Sequence, residues 1–153
     1  MTRFWRICRR RYAADAASGE GARRYGGRWN SRGVRVVYAS TSLALAAMET
    51  FVNLEPNLRP SDLISVEGEI PDQLSIESLD PTTLPAAWRR NRNQLLCRFG
   101  DEWIHAARTV ALSVPSAVIR GEWNILLNPA HSDFAAIRFL RPRPFEFDLR
   151  MFR

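Results

Sequence analysis

Residues 34–53 read VRVVYASTSLALAAMETFVN, and their order decides the fold. Val34 to Ala39 is β-branched and apolar, which predicts a central strand. Ser40-Thr41-Ser42 then supplies capping hydroxyls, and a helix is expected to run to about Asn53. Its apolar stripe is read as Leu43, Ala44, Ala47, Met48, Phe51 and Val52, with Glu49 at the stripe's edge. Glu49 is the only charged residue between Leu43 and Leu54. A carboxylate against an apolar face is costly unless something pairs with it. An ion pair with an arginine and a catalytic role are both open to it.

Working outward, Phe4 to Tyr12 alternates apolar residues with arginines and suits a strand with one polar face. Ser18 to Arg32, rich in glycine and arginine, reads as a long loop holding Gly26-Gly27-Arg28-Trp29-Asn30. Leu63 to Ile70 is a strand, and Leu79 to Arg92 a proline-containing connector. Asn93 to Ala107 is a helix interrupted or restarted near Gly100-Asp101. Further strands are expected at 109–114, closed by Pro115, at 124–127, 137–140 and 145–151. This is α+β order rather than the repeating βαβ of a doubly wound sheet. Dinucleotide fingerprint, P-loop and HExxH motifs are absent.

The chain has 153 residues, 46% hydrophobic and 25% charged, which predicts one globular domain over 1–153. No apolar run is long enough to span a membrane, and no signal-peptide core is seen at the N-terminus, so a cytoplasmic location is expected. Cys8 and Cys97 make no disulfide framework and lack CxxC spacing; with His105 and His131 they form no convincing metal set. The net charge is +6 and every basic residue is arginine. Ten of the 22 arginines lie in the first 35 residues, against Asp15 and Glu20. An anionic small molecule is the favoured partner, with nucleic acid the alternative; no helix-turn-helix or finger accompanies the charge.

Arg28, Tyr38 and Glu49 combine into a site. Guanidinium grips phosphate bidentately, and the glycines before it let backbone approach a ligand. A tyrosine at a strand end offers a ring and a hydroxyl. A carboxylate on a dry helix face stabilises an oxocarbenium ion. The set suits cleavage of a nucleotide N-glycosidic bond. Each residue also has a plain alternative: Trp29 a packed turn residue, Tyr38 core filler, Ser116 a capping serine and His131 a structural loop histidine.

Several segments, in order, carry a family resemblance: Ser18-Gly19-Glu20-Gly21-Ala22, Gly26-Gly27-Arg28-Trp29-Asn30, Val36-Val37-Tyr38-Ala39-Ser40 and Ala44-Leu45-Ala46-Ala47-Met48-Glu49. Gly100-Asp101-Glu102-Trp103, Val114-Pro115-Ser116-Ala117-Val118, Asn124-Ile125-Leu126-Leu127-Asn128-Pro129-Ala130-His131 and Phe145-Glu146-Phe147-Asp148-Leu149-Arg150 continue it. Together they resemble the RES-domain toxins of type II toxin–antitoxin pairs, whose partners are Xre-type antitoxins. The resemblance implies an ADP-ribosyltransferase-like fold with a mixed, split sheet. It implies consumption of NAD⁺ as substrate, by hydrolysis or phosphorolysis of the nicotinamide–ribose bond, with no further cofactor. Transfer of ADP-ribose to a protein is the alternative, and an arginine-rich nucleic-acid-binding or ribonuclease toxin a more distant one.

The family's arginine, glutamate and serine fall on Arg28, Glu49 and Ser116. By the same matching Arg6 contacts the nucleotide's diphosphate with Arg28, Tyr38 stacks on the nicotinamide, and Ser116 positions the nicotinamide or its ribose. Phe51-Val52-Asn53 departs from a more usual Leu-Val-His ending of the helix. A homodimer within the antitoxin complex is compatible with the resemblance, and DNA contact is left to the antitoxin.

Overall fold

The computed structural model describes residues 1–90 and 94–153. One eight-stranded sheet organises it. Strands β1 (Thr2–Arg9), β2 (Val37–Ser40), β3 (Leu63–Ile70), β4 (Ile76–Ser78), β5 (Ala111–Pro115), β6 (Trp123–Leu127) and β7 (Arg138–Phe139) lie in the order β4-β5-β6-β2-β1-β3-β7. The last strand, β8 (Arg143–Phe145), also pairs with β3. Only β4 and β5 run parallel; the other pairings are antiparallel.

Side-chain alternation builds the two larger of three cores among the described residues. Val37, Ala39, Ile125 and Leu127 join Phe4 and Ile70 on one face, while Val36, Leu112, Val114 and Leu126 join Trp29, Trp88 and Trp103 on the other. With both faces covered, β2 and its flank read as a continuous apolar run, which is why that strand was visible. Helix α3 (Gln94–Ala106) covers the tryptophan-rich face through Leu96 and Trp103.

The sheet is nearly parted at one junction. β1 pairs with β3 along its whole length, from Thr2↔Ile70 to Arg9↔Leu63. Against β2 it pairs only at Trp5↔Ser40. Beyond that point the two strands diverge, and the expected split takes this form. Helix α2 (Leu43–Val52) packs over β1 and β2. Its cap is Ser42, whose hydroxyl accepts the Leu45 N–H at 3.0 Å.

Several expectations are corrected. The first strand stops at Arg9, and a 3₁₀ turn spans Arg10–Asp15. The glycine-rich loop contains a short helix α1 (Glu20–Tyr25), braced by Glu20 to Arg23 and Arg24 three and four residues on. Helix α3 is continuous through Gly100, because that glycine is a contact point rather than a breaker. A Cβ there would lie 1.7 Å from the Trp29 carbonyl oxygen. Residues 79–90 of the connector are irregular apart from a 3₁₀ turn at Pro81–Thr83, Asn91 and Arg92 lie outside the described residues, and β4 just before the connector was not foreseen. The strand expected at 109–114 begins at Ala111. That expected at 137–140 shrinks to β7. Of that expected at 145–151, only Phe145 lies in a strand, as the last residue of β8; residues 146–148 are irregular and a 3₁₀ turn spans Leu149–Phe152, capped by Asp148.

The phase of α2 also differs. Its buried residues are Leu45 and Ala46, whereas Leu43, Ala44 and Val52 are exposed. Glu49 lies four residues after Leu45 and three after Ala46, so it belongs to the inward face itself. The helix is apolar almost all round, so periodicity did not select the face.

Candidate active site

A cavity of about 980 Å³ opens where β1 and β2 diverge. β1 contributes Arg6, β2 contributes Tyr38 and Ser40, and α2 contributes Glu49; Arg28 lines it from the loop after α1 and Asn124 from β6. Four of the five residues singled out from sequence thus share one cavity. Ser116 is fully buried and stands behind it, with Ala117 and Val118 forming the wall.

Glu49 is held by neutral donors. Ser116 Oγ donates to Glu49 Oε1 at 2.6 Å, and Asn124 Nδ2 donates to the same oxygen at 2.7 Å. No ion pair among the described residues involves Glu49, so the arginine-partner alternative is not the one adopted. Oε2 carries no hydrogen bond among the described residues. Both donors are themselves oriented. Ser116 Oγ accepts the N–H groups of Val118 and Ile119, each at 3.1 Å, so its capping role and its contact with Glu49 coexist. Asn124 Oδ1 accepts from Ser40 Oγ at 2.7 Å, which fixes which end of the amide faces the carboxylate.

Tyr38 is clamped at its tip. Its hydroxyl donates to Asn30 Oδ1 at 2.6 Å and accepts the Trp29 N–H at 3.1 Å. Asn30 is buried and donates to the carbonyls of Ala22 and Val34, tying α1, the glycine loop and β2 together. Gly27 is required by closeness: a Cβ would lie 2.6 Å from the Tyr38 hydroxyl oxygen and 2.8 Å from Asn30 Oδ1. The loop therefore lies flat on the tyrosine and delivers Arg28, whose Nη1 donates to the Trp88 carbonyl at 2.9 Å.

Arg6 bridges the opened junction, donating from Nη1 to the Tyr38 carbonyl at 2.9 Å. Its Nε is buried without a hydrogen-bond partner among the described residues. Burial pushes its pKa down from the ordinary value, but a guanidinium remains cationic at working pH. Burial also pushes the neighbouring Cys8 thiol up, against the lowering effect of Arg6. His131 is absent from the cavity wall, and its Nδ1 accepts the Asp133 N–H at 3.0 Å, a structural contact.

Asn124 was missed from sequence, being one polar residue in a strand recognised by its apolar neighbours. Nothing local marks it; its partners are 75 and 84 residues away. Trp88 was missed for a like reason, although a tryptophan in a proline-containing connector signals a docked segment.

Fold and cavity together define an α+β protein whose sheet is opened beside a carboxylate and several guanidinium groups. The RES domain family model matches residues 3–148, and the chain belongs to the RES-domain family. It is 42% identical to the "Prs ADP-ribosylating toxin" of Sphingobium sp. (strain YBL2), over 99% of this chain and 98% of that protein. It is 36% identical to "Toxin Res" of Yersinia enterocolitica serotype O:8 / biotype 1B, over 97% and 98% respectively. A chain in the crystal structure of the M. tuberculosis MbcT-MbcA toxin-antitoxin complex superposes with a TM-score of 0.73 at 18% identity, covering 94% of this chain and 84% of that one. The two share a fold, and its α+β order with a mixed sheet is the one expected.

Proposed function

We propose that this protein is the toxin of a toxin–antitoxin pair and that its cavity cleaves NAD⁺ at the nicotinamide–ribose bond. One observation carries the reading: Glu49, on a cavity also lined by Arg6, Arg28 and Tyr38, is held by Ser116 and Asn124 and not by a cation. A carboxylate neutralised by an arginine has little left for a developing positive charge, whereas one oriented by neutral donors keeps it. The relatives' names support a toxin, and one supports ADP-ribose chemistry.

In this reading Arg6 and Arg28 contact the diphosphate and the Tyr38 ring holds the pyridinium. Glu49 stabilises the oxocarbenium ion as the C1′–N bond breaks. The bonding pair leaves with the ring nitrogen and neutralises the pyridinium, so nicotinamide departs without a general acid. Water, phosphate or a nucleophilic side chain then takes C1′. Transfer to a protein is the second reading, favoured by the name of the Sphingobium relative. Ser116 acts as a positioning residue through Glu49. The partner is an Xre-type antitoxin that blocks the cavity, in a cytoplasmic complex containing a homodimer of this chain.

The test is release of free nicotinamide from NAD⁺ by antitoxin-free protein, with and without phosphate. Glu49→Ala is expected to lower kcat at least about a hundredfold, as loss of an electrostatic stabiliser does, with the fold retained. Wild-type turnover by that variant would remove Glu49 from the mechanism.

A further inference from the structure

Arg89 is a cation that the reading above does not use. It stands in the irregular segment before α3 and lines the same cavity as Arg6, Arg28 and Glu49. Its guanidinium carbon sits 4.5 Å from the centroid of the Trp88 ring. Among the described residues it makes no hydrogen bond and no ion pair. Its Nε is nonetheless buried. The cavity's carboxylates, Glu49 and Glu55, do not pair with it.

The platform under it is rigid. Trp88 is 5% exposed and packs against Trp29 with ring centroids 5.7 Å apart. The same residue fixes two arginines, one through its carbonyl to Arg28 and one through its ring to Arg89. Stacking on an aromatic face leaves a guanidinium's in-plane N–H groups directed outward to meet an acceptor. Moreover, Arg6 Nε and Arg89 Nε are the buried side-chain nitrogens without a partner among the described residues, and both residues line this one cavity. Two guanidinium groups on one cavity, each with a buried Nε lacking a partner among the described residues, suit a ligand with more than one anionic oxygen centre.

We propose that Arg89 is a substrate-binding residue that grips the diphosphate of the dinucleotide together with Arg6 and Arg28. This rests on the NAD⁺ reading, and its test separates the two. Wild-type, Arg89→Ala and Arg89→Lys proteins are compared in nicotinamide release from NAD⁺ and in calorimetric binding of ADP-ribose, which needs no turnover. A charge-assisted hydrogen bond predicts about a tenfold rise in KM and a similar loss of ADP-ribose affinity for Arg89→Ala, with kcat changed less than about twofold. Arg89→Lys recovers part of the affinity by charge alone. The KM and affinity of Arg89→Ala should also respond less steeply to salt. Unchanged ADP-ribose affinity in Arg89→Ala overturns the proposal, as does a fall in kcat with KM intact. Wild-type protein that binds ADP-ribose through Arg89 but releases no nicotinamide refutes the catalytic reading and leaves this one standing.

Discussion

The carboxylate of Glu49 draws its direction from residues 67 and 75 positions away. Ser116 and Asn124 share its Oε1, so both restrain it. Ser116 is behind the wall, and its loss should be felt in orientation rather than in substrate contact. Ser116→Ala is expected to lower kcat about tenfold through misplacement of Glu49 while KM stays within about twofold. It also leaves the Val118 and Ile119 N–H groups without their acceptor, lowering stability by about 1–3 kcal/mol. Steady-state kinetics beside a denaturant titration checks both. A raised KM with kcat intact would place Ser116 against the substrate instead. At this scale the sequence was informative where chemistry is unusual for its surroundings: a lone Glu49 in an apolar run, Arg28 after two glycines. Asn124, in an ordinary-looking strand, was silent because its meaning lies in partners brought by the sheet register Ser40↔Asn124.

Elements were legible in proportion to how local their causes are. The α2 span was readable because Ser42 caps it and Leu43 to Val52 forms helix well, but its facing was not, since only packing on β1 and β2 selects Leu45, Ala46 and Glu49. Helix α1 was hidden by the glycines around it. Six residues are too few to be helical alone, and its hold comes from Glu20, which meets Arg23 at 2.6 Å, Arg24 at 3.2 Å and Arg35 at 3.4 Å. The side-chain hydrogen bond from Arg23 is the main cause that draws the Glu20 carboxyl down from 4.5 to about 2. A folded-state pKa below the unfolded one gives stability that is present above pH 4.5 and lost as pH falls towards about 2. The protection factors of residues 20–25, with exchange corrected for its intrinsic pH dependence, should therefore fall between those pH values in the wild type. In Glu20→Gln the exchange should already be faster at neutral pH and should lack that acid step. Because α1 carries the Ala22 carbonyl that orients Asn30, and Asn30 holds Tyr38, its loosening would reach the cavity.

Across the whole molecule, the +6 charge invites a nucleic-acid reading that the arrangement of arginines argues against. Of the ten in the first 35 residues, Arg3, Arg9, Arg23, Arg24 and Arg35 stand in ion pairs with Glu67, Asp62 and Glu20. Arg6 and Arg28 line the cavity opened between β1 and β2. The N-terminal cluster is thus largely absorbed into holding the fold and furnishing one concave site. Binding that depends on phosphate neutralisation rises with the number of exposed cations and collapses with salt. We therefore expect duplex DNA or RNA to bind this chain with a Kd no tighter than about 10⁻⁶ M at physiological salt, the tight end of the non-specific range. ADP-ribose affinity should change far less between low and physiological salt, because dissolved ions screen charges inside a cavity less than charges on an open surface. Parallel mobility-shift and calorimetric titrations at two salt concentrations measure the contrast. Sub-micromolar duplex binding that persisted at physiological salt would move the function of the arginines from the cavity to the surface.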